Sequence, residues 1–202
     1  MELLERSWQR TWRNLELEAP NTLRERLIRA YAEPQRRYHS LQHLCECLAH
    51  FESALSLAGH PGEVEIALWF HDAIYELQGK DNEARSAQWA RDELTSSGAS
   101  TEQRQRVHAL IMATCHTATP SDPDEQLLVD IDLAILGASP ERFAEYNAQV
   151  KIEYSWVPSP IYEVKRKEVL KSFLDRSPIY STEYFRGLRE QQARTNLRLV
   201  TS

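Results

Sequence analysis

The sequence predicts an all-α fold in a single domain. The 202 residues include only six glycines, which disfavours a β fold with many tight turns. Apolar residues recur at helical spacing through most of the chain, and no segment shows the alternation typical of a strand. A chain of this length can bury a sizeable core as one domain. We therefore expect about nine or ten helices in one domain over residues 1–202.

Residues that interrupt or cap helices separate the predicted helices. Pro34 follows the second helix, Gly59-His60-Pro61-Gly62 follows the third, and Ser96-Ser97-Gly98 follows the fifth. Asp81 is a candidate N-cap, and Gly137 is a candidate residue just past a helix end. The predicted helices cover residues 3–17, 21–32, 38–58, 63–75, 82–95, 101–116, 123–136, 140–154, 160–175 and 181–198.

Charge and cysteine content narrow the functional classes. The formal net charge is −6 and no basic run occurs, which disfavours non-specific nucleic-acid binding. The cysteines Cys45, Cys47 and Cys115 are odd in number, so we expect reduced thiols rather than a disulfide framework. No segment resembles a signal peptide or approaches membrane-spanning length. We expect a cytoplasmic protein with no membrane partner.

Two segments place side chains that can bind metals beside large apolar ones. His39 and His43 are four residues apart, so on one helix they would share an edge. We expect that edge to face away from the apolar stripe, and an ordinary polar helix face is the simpler explanation of the pair taken alone. His71-Asp72 follows an apolar run, and a buried carboxylate is costly unless it is paired or binds a metal. A metal-free hydrogen-bonded His–Asp pair is the alternative.

Five later polar residues are further candidates. Asp132 has apolar neighbours one turn away on both sides, so we expect it to be more buried than Asp130 and the better ligand. Asp130 would then contact a metal ligand without binding the ion itself, or lie in solvent. Glu83 and Arg166 each lie on an apolar helix face, where a structural ion pair is the simpler interpretation and a shared anionic site the other. His116, at a helix end, is a further candidate.

The order His43, His71-Asp72, Asp132 resembles the H…HD…D signature of the HD superfamily of metal-dependent phosphohydrolases. Further motifs, from about residue 31 to 182, are similar to one bacterial subfamily of predicted metal-dependent HD phosphohydrolases. They are Arg36-x-Tyr38-His39-x-x-x-His43, Trp69-Phe70-His71-Asp72-Ala73-Ile74-Tyr75, Asn82-Glu83-x-x-Ser86-Ala87, Asp130-x-Asp132-Leu133-x-Ile135-Leu136-Gly137, Glu153-Tyr154, Arg166-x-x-Val169-Leu170-x-x-Phe173-Leu174-x-Arg176 and Ile179-Tyr180-x-Thr182.

The resemblance implies an HD helical core with flanking N- and C-terminal helices. It also implies that His43, His71, Asp72 and Asp132 bind a divalent metal ion. The mixed nitrogen and oxygen ligands suit Mn²⁺, Co²⁺, Ni²⁺, Zn²⁺, Fe²⁺ or Mg²⁺ without choosing among them. One ion is expected and a second is left open, because His116 is the only good match to the additional histidines of two-metal members.

The resemblance further implies roles in phosphoester hydrolysis by a metal-activated water. The segment around His39 is similar to cyclic-nucleotide phosphodiesterases, which suggests this histidine as the general acid. Arg36 or Arg166 would neutralise phosphoryl oxygens, and His116 would contact substrate. Glu83 would orient the water or a metal-bound histidine. Many HD hydrolases carry an acidic residue where this chain has Tyr75.

We expect the substrate to be a nucleotide or a related small phosphoester, and we leave a homodimer open. Two other functions remain alternatives at this point. One is a non-catalytic nucleotide- or metal-binding regulatory protein on the same scaffold. The other is an HD-type oxygenase with two irons, which would need extra histidine ligands.

Overall fold

The chain folds into α-helices, as a computed structural model of residues 2–201 shows. Short 3₁₀ segments occupy Leu55–Leu57 and Leu133–Gly137, and no strand occurs among these residues. The prediction of an all-α fold with nine or ten helices is confirmed. Within residues 2–201 the ten α-helices are α1 (Glu2–Leu15), α2 (Leu23–Tyr31), α3 (Leu41–Ala54), α4 (Pro61–Phe70), α5 (Asn82–Ser96), α6 (Thr101–Ala113), α7 (Pro123–Asp132), α8 (Pro140–Glu153), α9 (Ser159–Leu174) and α10 (Glu183–Thr201).

The contacts along the chain divide it into two compact units, with the boundary inside α7 after Val129. The first unit contains α1 to α6 and the start of α7. The second contains the end of α7 and α8 to α10. The expectation of one domain stays a prediction. None of the described helices combines the length and apolar character needed to cross a membrane.

Helix α4 is the centre of the first unit. All its residues from Gly62 to Phe70 are buried, because the helix is apolar nearly all round. Helices α1, α3, α5 and α6 pack against it. The predicted central buried helix is therefore confirmed, although it ends at Phe70 rather than at residue 75.

A buried polar network fixes α1 against α4. Glu65 accepts hydrogen bonds from Ser7 Oγ at 2.7 Å and from Nε and Nη2 of Arg10 at 3.1 and 2.5 Å. Ser7 Oγ in turn accepts a 3.0 Å hydrogen bond from Trp69 Nε1. A buried carboxylate needs such partners, because an unpaired one would lose its hydration without compensation. The network holds the C-terminal turn of α4, which leads directly into His71.

In the second unit, α10 packs along α9 and the Leu133–Gly137 segment. Asn196 Nδ2 donates to the carbonyl oxygens of Leu136 and Ala138, both at 2.9 Å. A Cβ at Gly137 would lie 2.7 Å from the Cβ and carbonyl oxygen of Arg189, so this close approach requires glycine. The predicted helix through residue 136 instead leaves α geometry at Asp132 and continues as 3₁₀ turns.

Candidate metal centre

The backbone bends where α4 ends, and this bend turns two adjacent side chains toward one point. His71 N donates to the Ala67 carbonyl as the last helical bond, and Ala73 N then donates to the Phe70 carbonyl at 2.9 Å. Asp72 N donates to the hydroxyl oxygen of Tyr31 at 3.2 Å. The structure thus confirms that His71 and Asp72 lie at a helix end with a bent backbone.

His43 comes from α3, which begins later than predicted. Ser40 is extended, with φ −116° and ψ −176°, so His39 lies in the loop before the helix. His43 is only 2% exposed and lies on the buried face with Leu44 and Leu48. The prediction that His39 and His43 share an outward helix edge is therefore wrong. Helical spacing from Tyr38 does not apply, because Arg36 binds the carbonyl oxygen of His39 and holds this residue in a loop.

The ligand atoms of His43, His71 and Asp72 converge. His43 Nε2 and His71 Nε2 are 3.1 Å apart, and Asp72 Oδ2 lies 3.5 Å from the first and 3.1 Å from the second. Ligands about 2.1 Å from one ion are separated by about 3.0 Å in an octahedron and about 3.4 Å in a tetrahedron. The three separations therefore fit a common divalent cation.

A hydrogen bond from the backbone defines which nitrogen of His71 is available. Nδ1 of His71 lies 2.7 Å from the Leu68 carbonyl oxygen, which can only accept, so Nδ1 carries a hydrogen. In the neutral imidazole, Nε2 then presents its lone pair, 3.1 Å from the carboxylate oxygen of Asp72. Two acceptors this close need a proton or a cation between them. A metal ion satisfies this arrangement, as does protonation of the imidazole.

The carboxyl group of Asp72 is held in its ionised form. Its side chain is 16% exposed, and burial alone would raise its pKa. When they are protonated, the imidazoles of His71, His39 and His43 together outweigh burial and lower the pKa of Asp72. An ionised carboxylate beside two imidazoles is a donor set that divalent transition metals commonly take.

Arg36 holds the loops that carry the predicted site residues. Nη1 donates to the carbonyl oxygens of His39 and Asp72 at 3.1 and 2.5 Å, and Nη2 donates to that of Ala73 at 2.9 Å. Nε donates to Glu33 at 3.0 Å. These contacts, with a side chain that has no exposed surface, favour a positioning role. Direct contact between Arg36 and substrate remains a prediction.

His39 lies beside this group in a more exposed position. Its ring stacks on Tyr75, with centroids 4.1 Å apart and an interplanar angle of 23°. The ring centroids of His39 and His43 are 6.1 Å apart. The stacking on Tyr75 thus fixes the orientation of the His39 ring. The role of His39 as general acid remains a prediction.

Sequence reasoning missed Cys47. It is 1% exposed, and its sulfur lies 3.7 Å from both ring nitrogens of His43. Possible ligand atoms of His43, Cys47 and His71 all lie within 4.8 Å of one another, so these side chains could hold a metal ion. The available signal was the four-residue spacing of His43 and Cys47, which places both on one face of a helix.

Helix α5 supports the loop after Asp72. Ile74 N donates to Ser86 Oγ at 3.0 Å, and Asn82 exchanges hydrogen bonds with the backbone of Glu76 at 3.1 and 3.0 Å. The predicted N-cap Asp81 precedes the helix, but its side chain makes no capping hydrogen bond. Two motif residues of the resemblance, Asn82 and Ser86, therefore have structural roles.

Glu83 and His116 occupy helix ends in the first unit. Glu83 is half-buried in the first turn of α5. Burial of the Cys115 thiol raises its pKa, and the negative charge of Glu83 raises that pKa further. His116 follows α6 with a left-handed backbone, φ 53°. Their proposed roles in orienting water and contacting substrate remain predictions.

In the second unit, the relative burial of the two aspartates is the reverse of the prediction. Asp130 is fully buried, and its carboxylate accepts hydrogen bonds from Ser181 N at 2.8 Å and from Thr182 N and Oγ1, both at 2.7 Å. Asp132, the last residue of α7, is half-buried. The expectation that Asp132 is the more buried was wrong, because α geometry stops there and its assumed helical neighbours do not follow.

Arg166 lies on α9 in the second unit. Its Nη2 donates to Asn147 Oδ1 at 3.1 Å, and its guanidinium lies over the ring of Tyr146 at 4.8 Å. A planar cation on an aromatic face is a stabilising arrangement. Its predicted contact with a substrate phosphoryl group remains a prediction.

Comparison with known proteins found no matching family model, no matching curated protein and no matching solved structure. The similarity to the HD superfamily therefore remains a resemblance carried by the motifs.

Proposed function

We propose that this protein is a metal-dependent phosphohydrolase whose divalent ion is held by His43, His71 and Asp72. The observation that best supports the metal is the convergence of their three ligand atoms at 3.1–3.5 Å. Asp132 of the second unit is proposed as a further ligand from the motif order alone. The reaction class comes from the resemblance to HD phosphohydrolases.

A divalent ion, when bound, supplies Lewis-acid chemistry to a phosphoryl group and to water. The protein fixes the orientation of the side chains that would bind the ion. The hydrogen bond from His71 Nδ1 to the Leu68 carbonyl fixes the ring so that Nε2 faces His43 and Asp72. Burial of both imidazoles excludes water from the inner side of the site, which leaves the Asp72 and His39 side for substrate.

His39 is the proposed proton donor to the leaving alkoxide. It lies next to the ligand group yet outside α3, and it is more exposed than either His43 or His71. Stacking on Tyr75 limits rotation of its ring. A partly exposed imidazole in a fixed orientation can hold a proton at a ring nitrogen and give it to an oxygen that leaves phosphorus.

The proposal assigns roles to three further residues from the sequence alone: Arg166, His116 and Glu83. Arg166 and His116 are proposed to bind the anionic substrate, and Glu83 is proposed to orient the attacking water. Arg36 is proposed to act through the backbone of His39 and Asp72, whose carbonyls it binds. The proposed substrate class is nucleotides and related small phosphoesters.

The test combines metal analysis with a phosphoester screen. Purified wild-type protein, His39→Gln and the matched control His50→Gln are assayed against nucleotides and simple phosphoesters with added Mn²⁺. We expect metal-dependent turnover, lowered by roughly 10²-fold in His39→Gln with metal content unchanged, and close to wild type in His50→Gln.

Other results would favour the alternatives. Full activity in His39→Gln would contradict the assigned proton donor. A metal-loaded protein without turnover on the whole panel would favour the regulatory protein, and two irons per chain would favour the oxygenase.

A further inference from the structure

We propose that Tyr75 is a positioning residue for the proposed proton donor His39, and that its aromatic ring matters most for phosphoesters with poor leaving groups. This role rests on the proposed function and goes beyond it by giving Tyr75 a part in the reaction. Both residues lie in loops of the first unit, His39 four residues before His43 and Tyr75 three residues after Asp72.

The orientation of the His39 ring depends on contacts outside its own backbone. His39 lies in the loop before α3, where the next residue, Ser40, is extended. Tyr38 meets the ring edge-on, with centroids 4.9 Å apart and an interplanar angle of 79°, but it belongs to the same loop as His39. Tyr75 stacks on the ring at 4.1 Å and 23° from a separate loop. Of these two contacts, the one with Tyr75 joins the ring to the segment that carries Asp72.

Arg36 fixes Tyr75 relative to that segment. The guanidinium carbon of Arg36 lies over the Tyr75 ring, 5.5 Å from its centroid, and over the Tyr31 ring at 5.2 Å. A cation is attracted to an aromatic face, and more strongly where it is shielded from water, as this buried guanidinium is. The same guanidinium donates to the carbonyl oxygens of Asp72 and Ala73 at 2.5 and 2.9 Å. The Tyr75 ring is therefore held against the backbone on which Asp72 lies.

Tyr31 anchors the other end of these contacts. Its side chain on α2 is buried, and its hydroxyl oxygen accepts the 3.2 Å hydrogen bond from Asp72 N. One continuous series of planar side chains in contact therefore contains Tyr31, Arg36, Tyr75 and His39. Because Tyr31 and Arg36 both bind the Asp72 backbone, the series sets the place of the His39 ring relative to a metal ligand.

The position of His39 matters for one step of the proposed reaction, the departure of the leaving group. As the phosphorus–oxygen bond breaks, the leaving oxygen takes the electron pair and His39 gives it a ring proton. A general acid acts only within hydrogen-bond reach of that oxygen, and small displacements are costly. A nitrophenolate leaves without a proton, because its charge is delocalised over its ring. Loss of the Tyr75 ring should therefore slow alkyl esters and spare nitrophenyl esters, whereas damage to the fold would slow both.

Leaving-group selectivity tests the role of Tyr75. Wild type, Tyr75→Leu, Tyr75→Phe and the matched control Tyr184→Leu are assayed on an alkyl ester and a p-nitrophenyl ester of the same phosphate type. We expect the ratio of alkyl to nitrophenyl kcat/KM to fall by about 10-fold in Tyr75→Leu and to stay within about 2-fold of wild type in the other two variants. Phenylalanine keeps the ring that stacks, and Tyr184 lies exposed in the second unit.

Proton NMR of the metal-free protein tests the stacking without activity. The ring current of Tyr75 shields the His39 ring protons that lie over it, so their signals should be shifted upfield in wild type. We expect the same signals in Tyr75→Phe and a downfield movement in Tyr75→Leu. Loss of the signals in His39→Gln assigns them to this histidine.

The outcomes separate the role of Tyr75 from the proposed function. Turnover by wild type with an unchanged ratio in Tyr75→Leu, whether or not both rates fall, contradicts the positioning role and leaves the hydrolase standing. His39 signals that stay in place in Tyr75→Leu contradict it as well. Wild type without turnover on any phosphoester removes the proposed function and the role of Tyr75 with it.

A partly folded variant does not affect this test, because the ratio of two kcat/KM values is independent of the folded fraction. If Tyr75→Leu yields no folded protein, Tyr75→Met is tested in the same way, since methionine keeps a long apolar side chain without a ring. The expected fall in the ratio is the same, and an unchanged ratio again contradicts the role.

Discussion

The Nε2 atoms of His43 and His71 lie 3.1 Å apart in the buried interior of the first unit, although the two residues are 28 positions apart in the chain. His71 directs its other nitrogen to a backbone carbonyl, so its Nε2 lone pair faces both His43 and Asp72. Such an arrangement is stable only with a proton or a cation among the three side chains.

Removing one imidazole should abolish stabilisation by metal. Ligand at 100 times its dissociation constant stabilises a folded protein by about 2.7 kcal/mol. We expect wild type and the control variant His108→Ala to gain about this much with Zn²⁺, and His71→Ala to gain almost nothing. Urea denaturation with and without the ion measures the difference. An equal gain in all three proteins would place the ion elsewhere.

Arg36 should be more important for stability than its neighbour Arg37. Arg36→Gln leaves three backbone carbonyls without their donor, so we expect the free energy of unfolding to fall by about 3 kcal/mol. The exposed Arg37 provides the matched control, and Arg37→Gln should change the free energy of unfolding by less than about 0.5 kcal/mol. Denaturant unfolding of the metal-free proteins measures both values. Equal stability of the two variants would contradict the positioning role.

Substitution by asparagine should have different effects at the two aspartates of α7. Asp130→Asn places an amide N–H against backbone donors of Ser181 and Thr182, so we expect a loss of about 2 kcal/mol in stability. Asp132→Asn should leave the metal-free stability within about 1 kcal/mol and lower metal affinity by about 10-fold or more. Unfolding curves and metal titration report the two effects. Unchanged metal affinity in Asp132→Asn would remove Asp132 as a ligand.

An ion pair on the first unit should give stability that depends on pH. Hydrogen bonds from Arg6 and then Arg10 lower the pKa of Glu52 below its usual value. The folded-state pKa is depressed, so the contribution is present above the unfolded pKa of about 4.3 and is lost as pH falls through the folded value. Glu52→Gln should cost about 0.5 kcal/mol at neutral pH, since this pair is partly exposed, and progressively less as the pH falls through the folded-state pKa. A loss of stability in Glu52→Gln that does not change with pH would contradict a contribution from this ion pair.

Periodicity predicted the fold class because it is a property of the local sequence. The apolar character of α4 identified a buried central helix, and its burial implied that His71-Asp72 needed a partner. Both predictions were confirmed. Pro34 and the glycine-containing breaks also separated neighbouring helices at nearly the positions observed.

The errors arose where tertiary contacts set the local geometry. His39 lies in a loop because Arg36 binds carbonyl oxygens from two separate segments, which helical spacing does not reveal. Asp130 can be buried because the backbone N–H groups of Ser181 and Thr182, distant in the sequence, donate hydrogen bonds to its carboxylate. The sequence did not distinguish Cys47 from an ordinary core residue, because buried cysteines commonly pack as small apolar side chains. The four-residue spacing from His43 was the available signal for its position beside that histidine.

Anomalous diffraction from crystals of the zinc-loaded protein tests the central claim most directly. We expect a single zinc peak about 2.0–2.2 Å from each of His43 Nε2, His71 Nε2 and Asp72 Oδ2. A fully loaded protein whose zinc lies away from these three atoms would contradict it.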